Sequence, residues 1–289
     1  MKLGVFITTH LQKGYRHGSN MENSMFIKFR DNVIEAYRSI PAGVDFDIHI
    51  MDTGSTDPMY LQWIANLKDD NIYHIDTPNH CGFAAGLKHL MHGNPLLADK
   101  YDYIMVSTDE NGGVPTKSGW GKDLIEKYNA CDNLGVMGRF LDKIRLSSDG
   151  LIDHRNCCPQ IAAMHGIKEV TVIPHLHAHW WLMNKKTLTD LAKAWWDPIH
   201  SVEGMKYQKQ WEDTDFCVLA DMKDNRKTLD NVHIGRETDI TLRIQHIGYK
   251  AATYKGDKFY PNGVDEFICG YNNFYKTEWY KNSTLEWEQ

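Results

Sequence analysis

At 289 residues, with 42% hydrophobic and 24% charged side chains, the chain has the composition of a folded soluble protein and the length for one large core or two modest ones. A net charge of -6 argues against a protein that coats nucleic acid or an anionic membrane surface, and no apolar run approaches the roughly 20 residues that a membrane-spanning helix needs. The six cysteines, Cys81, Cys131, Cys157, Cys158, Cys217 and Cys269, show no Cys-x-x-Cys spacing, and no signal-peptide pattern precedes the first strand-like segment, so reduced thiols and a soluble, cytoplasmic protein are expected.

Taken in order, Lys2 to Thr9 predicts a strand that ends on Thr8-Thr9-His10, two small hydroxyls and an imidazole. Residues 11–23 are polar and glycine-rich and read as a loop carrying Lys13, Arg16 and His17. Phe26, Phe29, Val33 and Tyr37 fall on one face of a helix that Pro41 and Gly43 stop. Phe46 to Met51 is a second strand, followed by Asp52-Thr53-Gly54-Ser55-Thr56-Asp57-Pro58. There Asp57 is a good N-cap and Pro58 a good first helical residue for a helix carrying Leu61, Ile64, Ala65 and Leu67. Ile72 to Ile75 is a short third strand. The small residues from Asn79 to Gly86, Gly82 among them, open a helix at a point where another backbone or a ligand must come close.

Tyr103 to Val106 is a buried apolar strand whose end carries Thr108-Asp109-Glu110-Asn111 before Gly112-Gly113 turn the backbone away. Strand, helix, strand, helix, strand is the pattern of a mostly parallel sheet covered by helices, and in such sheets ligands bind beyond the carboxyl ends of the strands. Adjacent acids at that place are oxygen ligands suited to a hard divalent cation.

The set formed by Thr8-Thr9, Met51 to Asp57, the glycine- and alanine-rich helix start and Thr108-Asp109-Glu110-Asn111 resembles the family 2 nucleotide-sugar glycosyltransferases of the GT-A fold, over about the first 115 residues. Where that family ends strand two with Asp-Asp-Gly-Ser-Thr-Asp, this chain has Thr53 for the second acid, and Glu110 stands for the last acid of the metal motif. The resemblance implies a single GT-A-like α/β domain over residues 1–289, a Rossmann-like, mostly parallel mixed sheet flanked by helices. Residues 1–113 would bind the nucleotide sugar and residues 114–289 the acceptor. It implies that Thr8, Thr9, Asp52, Gly82 and Asp109 bind the donor, with Thr8 and Asp52 bracketing the base. Asp109 would contact the ribose or the metal, and Glu110 would hold Mn²⁺ or Mg²⁺ against the diphosphate.

Beyond Gly113 the likeness fades. Ser118 is positioned to cap a helix through Tyr128, with Leu124, Ile125 and Tyr128 inward, and Leu134 to Met137 is a further strand. Residues 139–166 read as an irregular acceptor-side loop region. Val170 to Met183 reads as one strand in which period two sets His175, His177 and His179 on a single face. His177, His179, Trp180 and Trp181 are candidate acceptor contacts, through imidazole hydrogen bonds and aromatic stacking on a sugar or base. Inverting members of the family carry a Glu-Asp-x-Asp pattern at a helix start, whose second acid deprotonates the acceptor hydroxyl. Two segments compete for that role. Trp211-Glu212-Asp213-Thr214-Asp215 matches the four-residue pattern and makes Asp213 the base, with Glu212 beside the acceptor. Arg236-Glu237-Thr238-Asp239 makes Glu237 the base, with Asp239 nearby, and its downstream sequence continues as the family's does. The residues from 257 to the end are aromatic and polar and read as a covering tail.

The expected activity is transfer of a sugar from a uridine-linked diphosphate donor to a hydroxyl of a glycan or glycosylated protein, with inversion. A hydroxymethylated base in DNA is a second acceptor class, because Lys122, Lys127, Arg139, Lys143, Arg145, Lys185, Lys186, Lys206, Lys209, Arg226 and Lys227 lie in the acceptor half. A non-catalytic carbohydrate-binding protein on a degenerate transferase scaffold is a third reading, and a sugar-phosphate nucleotidyltransferase is a further rival, though the loop after strand one does not carry that class's glycine-rich phosphate-binding motif.

Overall fold

The computed structural model describes residues 1–11, 25–76, 90, 99–109, 113–130, 134–138, 141–147, 166–176, 180–189, 233–236 and 242–244. Strands β1 (Lys2–Thr9), β2 (Asp45–Asp52), β3 (Ile72–Asp76) and β4 (Tyr103–Thr108) are followed by β5 (Gly113–Pro115), β6 (Leu134–Gly138), β7 (Leu141–Leu146), β8 (Thr171–Leu176), β9 (Trp180–Asn184), β10 (His233–Arg236) and β11 (Leu242–Ile244). Among the described residues seven strands form one sheet, in the order β10-β6-β9-β4-β1-β2-β3. β1 is parallel to β2 and β4, and β2 to β3, whereas β9 runs antiparallel to both β4 and β6. This is the mostly parallel, Rossmann-like mixed sheet that the strand-helix alternation predicts.

The first connection is helical from Met25 to Ser39 and is here called α1. It runs through an α-helical turn, Met25–Lys28, a π-helical stretch, Phe29–Ile34, and a second α-helical stretch, Glu35–Ser39. The second is α2 (Pro58–Ala65), and α3 (Trp120–Asn129) precedes β6. Because β1, β2 and β3 are laid down in one direction, right-handed crossovers put α1 and α2 on the same face of the sheet. That face is the core. Phe26, Phe29, Val33 and Tyr37 of α1, Tyr60 of α2, and Trp120, Leu124, Ile125 and Tyr128 of α3 bury against Leu3, Val5, Ile7, Ile48, Ile50, Met105, Met137, Trp180 and Leu182.

Several expectations meet the structure closely. Asp57 caps α2, its carboxylate accepting from the backbone N–H groups of Met59 and Tyr60, and Pro58 opens the helix. On α2 it is Tyr60 that faces the core, while Leu61 is exposed. The α3 helix does not use Ser118 as its cap. Gly119 stands at that position with φ +79°, a left-handed conformation that favours glycine, and its N–H donates to the Pro41 carbonyl at 2.7 Å. The chain enters α3 by docking on the α1–β2 connection, and the Trp120 ring packs edge-on against Tyr37 and Phe46.

Two expectations are corrected. Residues 139–166 are not wholly irregular, because β7 pairs antiparallel with β8 in a separate two-stranded sheet. Val170 to Met183 is not one strand. β8 belongs with β7 and β9 with the central sheet, so the two halves of that apolar run serve different sheets. The run has β propensity throughout, which periodicity alone cannot divide.

On the sheet face opposite the core, Phe6, His49 and Tyr101 form a buried aromatic cluster that the exposed Tyr73 covers. The His49 ring lies 4.6 Å from Phe6 and 5.1 Å from Tyr73, both stacked. The Tyr101 hydroxyl bonds the His49 ring and donates to Asp47, which also pairs with Lys2 at 2.6 Å. Gly4 makes room for this cluster, since a Cβ there would stand 2.7 Å from Phe6 and Tyr101 ring atoms.

Burial pushes His49 down from 6.5 to about 4. Between those values the unfolded chain binds a proton that the folded chain refuses, so stability is whole above pH 6.5 and falls as pH drops toward 4. Denaturant unfolding across that window is expected to lose on the order of 3 kcal/mol from this group, with His49→Gln flattening that part of the curve.

Candidate functional site

The parallel register fixes the site. Thr9 is level with Asp52, Asp52 with Asp76, and Thr8 with Thr108, so Asp109 follows at the next level of β4. Period two along each strand then puts Thr9, Asp52, His74, Asp76 and Asp109 on the helix-covered face, in continuation of the apolar rows that fill the core. After β3 the strand order reverses, with β4 added on the far side of β1. The carboxyl ends of β1 and β4 therefore flank a topological switch point, where open α/β sheets form a crevice.

At that point the polar groups are buried and tied together. One oxygen of the Asp109 carboxylate accepts from the Thr9 hydroxyl and from the His10 backbone N–H, each at 2.9 Å, and the Asp109 N–H donates to the Thr8 carbonyl at 3.0 Å. The Thr53 N–H and hydroxyl both donate to the Thr9 carbonyl, and the His10 ring meets the Thr53 carbonyl at 3.1 Å. Leu11 donates its N–H to the Ser55 hydroxyl, while its carbonyl accepts from Thr56 and Asp57. Thr53, which replaces the resembling family's second acid, thus closes the β1 and β2 loops on one another.

Asp52 is only 3% exposed. One of its oxygens accepts from the Gly54 and Ser55 N–H groups at 3.0 and 2.7 Å, and the other lies 3.4 Å from His74 Nε2. Burial pushes its pKa up, but the hydrogen bonds from His74 and Ser55 outweigh burial and hold the carboxyl below its ordinary range, so it is an anion at neutral pH. Burial, with the Asp52 charge next in importance, drives the Tyr60 phenol far up and keeps it neutral. The Thr8 hydroxyl and the Trp180 indole N–H are buried without a hydrogen-bond partner among the described residues. Trp180 is level with Ser107 at the end of β4, which puts both orphaned groups near the crevice end of the sheet.

Of the residues singled out from sequence, Thr9, Asp52 and Asp109 come together on the helix-covered face at this strand end, while Thr8 meets Asp109 through its backbone carbonyl and its side chain falls on the other face. Trp180 and Trp181 are fully buried in β9. Gly82, Glu110, His177, His179, Glu212, Asp213, Glu237 and Asp239 lie outside the described residues, as do the six cysteines. The carboxylate of Asp109 fits a site for a hard cation in ligand type, and its tie to β1 holds it without much reorganisation. His74, Asp76 and Ser55 were missed by sequence reasoning. Their signal was period two in Ile72 to Asp76 and an Asx-type turn after Asp52, but the pairing of β3 with β2 that brings them to Asp52 is not written locally. Four of the described lysines of the second half pair with acids: Lys117 and Lys127 with Asp123, Lys122 with Glu126 and Lys185 with Asp99. Among the described residues no helix is long and apolar enough to cross a membrane.

No family model and no curated protein sequence matches the chain. Similar solved structures include glucosyl-3-phosphoglycerate synthase from Mycobacterium tuberculosis, in complex with Mn²⁺, UDP and phosphoglyceric acid, at 12% identity and a TM-score of 0.38, covering 81% of this chain and 67% of that one. A CMP:2-keto-3-deoxy-manno-octonic acid synthetase complexed with CTP is similar at 12% identity and 0.37, covering 73% of this chain and 86% of that one. TarS 1–349 of S. aureus is similar at 11% identity and 0.36, covering 74% and 56%. At that level of likeness no residue of this chain takes a role from them.

Thr9→Val keeps the side-chain shape and removes a buried donor to Asp109. It is expected to cost about 1–3 kcal/mol of stability in urea unfolding, because a buried carboxylate loses one of its partners.

Proposed function

We propose that the chain is a metal-dependent glycosyltransferase that moves a sugar from a nucleoside diphosphate, uridine-linked, to the hydroxyl of a glycan or glycosylated protein. The observation that carries this reading is the row of buried, pre-oriented carboxylates and hydroxyls, Thr9, Asp52 and Asp109, at the switch-point ends of β1, β2 and β4. It stands where the motif order read from the sequence expects a donor.

On this reading Asp52, anionic and braced by the Gly54 and Ser55 N–H groups, accepts from the imide nitrogen of the base, with Thr8 alongside. Asp109 meets the ribose or the metal while Thr9 and His10 hold it in place. Glu110 is the main metal ligand, and Gly82 allows close approach of the donor. Bound Mn²⁺ or Mg²⁺ neutralises charge on the departing diphosphate. Residues 114–289 bind the acceptor. There Asp213 or Glu237 takes the proton of the acceptor hydroxyl, whose oxygen bonds to the anomeric carbon as the bond to the diphosphate oxygen breaks, and the centre inverts. Glu212, Asp239, His177 and His179 are the surrounding acceptor contacts, whereas Trp180 and Trp181, expected there from sequence, are buried in β9 and support the sheet beneath.

The test is nucleotide release from a panel of nucleotide sugars, with and without Mn²⁺ or Mg²⁺. One donor is expected to be hydrolysed slowly in the presence of metal, and Glu110→Ala is expected to slow that release roughly 100-fold or more. With an acceptor in hand, Asp213→Ala and Glu237→Ala identify the base by which of them abolishes transfer while donor binding survives. Donor binding without release under any metal would make the chain a sugar-nucleotide-binding protein, and no binding at all would defeat the reading.

A further inference from the structure

The ends of β2 and β3 bring together a second group that the donor site does not use in full. Asp52, His74 and Asp76 each offer one ligand atom, and these atoms lie within 4.8 Å of one another. His74 Nε2 stands 3.4 Å from Asp52 Oδ2 and 3.5 Å from Asp76 Oδ1. Both separations are long for a strong charged hydrogen bond, whose nitrogen and oxygen approach to about 2.7–2.9 Å. They match a different geometry. With bonds of about 2.0–2.2 Å, the ligand atoms of a four-coordinate site stand roughly 3.3–3.6 Å apart. The corresponding edge around octahedral Mg²⁺, with bonds near 2.0–2.1 Å, is about 2.8–3.0 Å.

We propose that Asp52, His74 and Asp76 form a binding site for a divalent transition-metal ion of the Zn²⁺ type, apart from the cation expected at Asp109 and Glu110. An imidazole between two carboxylates is a donor set that favours such ions over Mg²⁺, which takes oxygen and water. The protein supplies the outer support. The far oxygen of Asp52 is fixed by the Gly54 and Ser55 N–H groups, as ligating carboxylates usually are. His74 is partly buried against the edge of Tyr60, and the Asp76 side chain, 88% exposed, is free to swing in and shorten the remaining edge. Three protein ligands leave a fourth position for water or a ligand from solution. The site stands on β2 and β3 alone and does not require the donor reading, but it takes Asp52 Oδ2, the oxygen left for the base on that reading, so the metal and the donor base would compete there.

The experiment uses the full chain, stripped of metal by a chelator and titrated with Co²⁺ in the presence of excess Mg²⁺. Four-coordinate Co²⁺ is expected to give intense visible d–d bands that one equivalent of Zn²⁺ abolishes and Mg²⁺ does not. His74→Ala is expected to lose this equivalent, and Asp76→Asn to weaken it by at least on the order of 10- to 100-fold. Because the chain carries further histidines and cysteines, the decisive quantity is the difference in bound equivalents between native protein and variants. Equal stoichiometry and spectra in native, His74→Ala and Asp76→Asn proteins would overturn the proposal, as would the absence of such bands in the native protein. Asp76→Asn changes an exposed side chain and keeps the test valid if His74→Ala fails to fold. Nucleotide release in Mn²⁺ is measured separately, so failure of the donor reading leaves this outcome readable.

Discussion

The Asp109 carboxylate reaching across from β4 to the end of β1 is the contact on which the arrangement of the strand ends depends. A buried anion costs free energy unless its oxygens are satisfied, and here the Thr9 hydroxyl and the His10 N–H do so from the neighbouring strand. That requirement holds β1 and β4 at one level where ladder hydrogen bonds have stopped. Thr53 then ties β2 to the same level through the Thr9 carbonyl, and Ser55 fastens the backbone beyond it at Leu11. A polar crevice can sit at the end of an apolar sheet because its own polar groups brace one another.

The two faces of the sheet handle polar groups in opposite ways. On the core face they collect at the carboxyl ends, above rows of Leu, Val, Ile and Met that admit none. On the other face a histidine lies in the middle of the sheet and is made neutral by burial, stacked between Phe6 and Tyr73. The first arrangement keeps charge where a ligand can meet it. The second keeps the imidazole neutral in the packing and leaves the charge to Asp47 and Lys2 at the strand starts, linked to it through the Tyr101 hydroxyl.

The first half of the chain was largely legible because its elements are local. β1 to β4, the Asp57 cap and the inward face of α1 all follow from alternation, helical spacing and turn chemistry within a few residues. Thr8, Thr9, Asp52 and Asp109 could be picked out because each ends a strand. What escaped was set by pairing between distant segments. His74 and Asp76 matter only because β3 lies beside β2, Ser118 yields to Gly119 because α3 docks on the α1–β2 connection, and the run from Val170 to Met183 divides because two sheets compete for it. A one-dimensional pattern contains no term for any of these.

The π-helical stretch in α1 bears on how the chain tolerates changes in length. Such a turn holds one residue more than an α-helical turn needs, so losing a residue between Phe29 and Ile34 would leave a regular helix behind. The helix beyond it would keep its phase, and Tyr37 would still reach the Gly113 carbonyl, to which its buried hydroxyl donates at 2.6 Å. A residue lost at Glu35 or Ala36, where the helix is already regular, has no such slack: each residue turns an α-helix by about 100°, so Tyr37 would swing away from that carbonyl. That bond joins the first crossover to β5, and the surplus residue in the π-helical turn is therefore the place where the crossover can change length without breaking it.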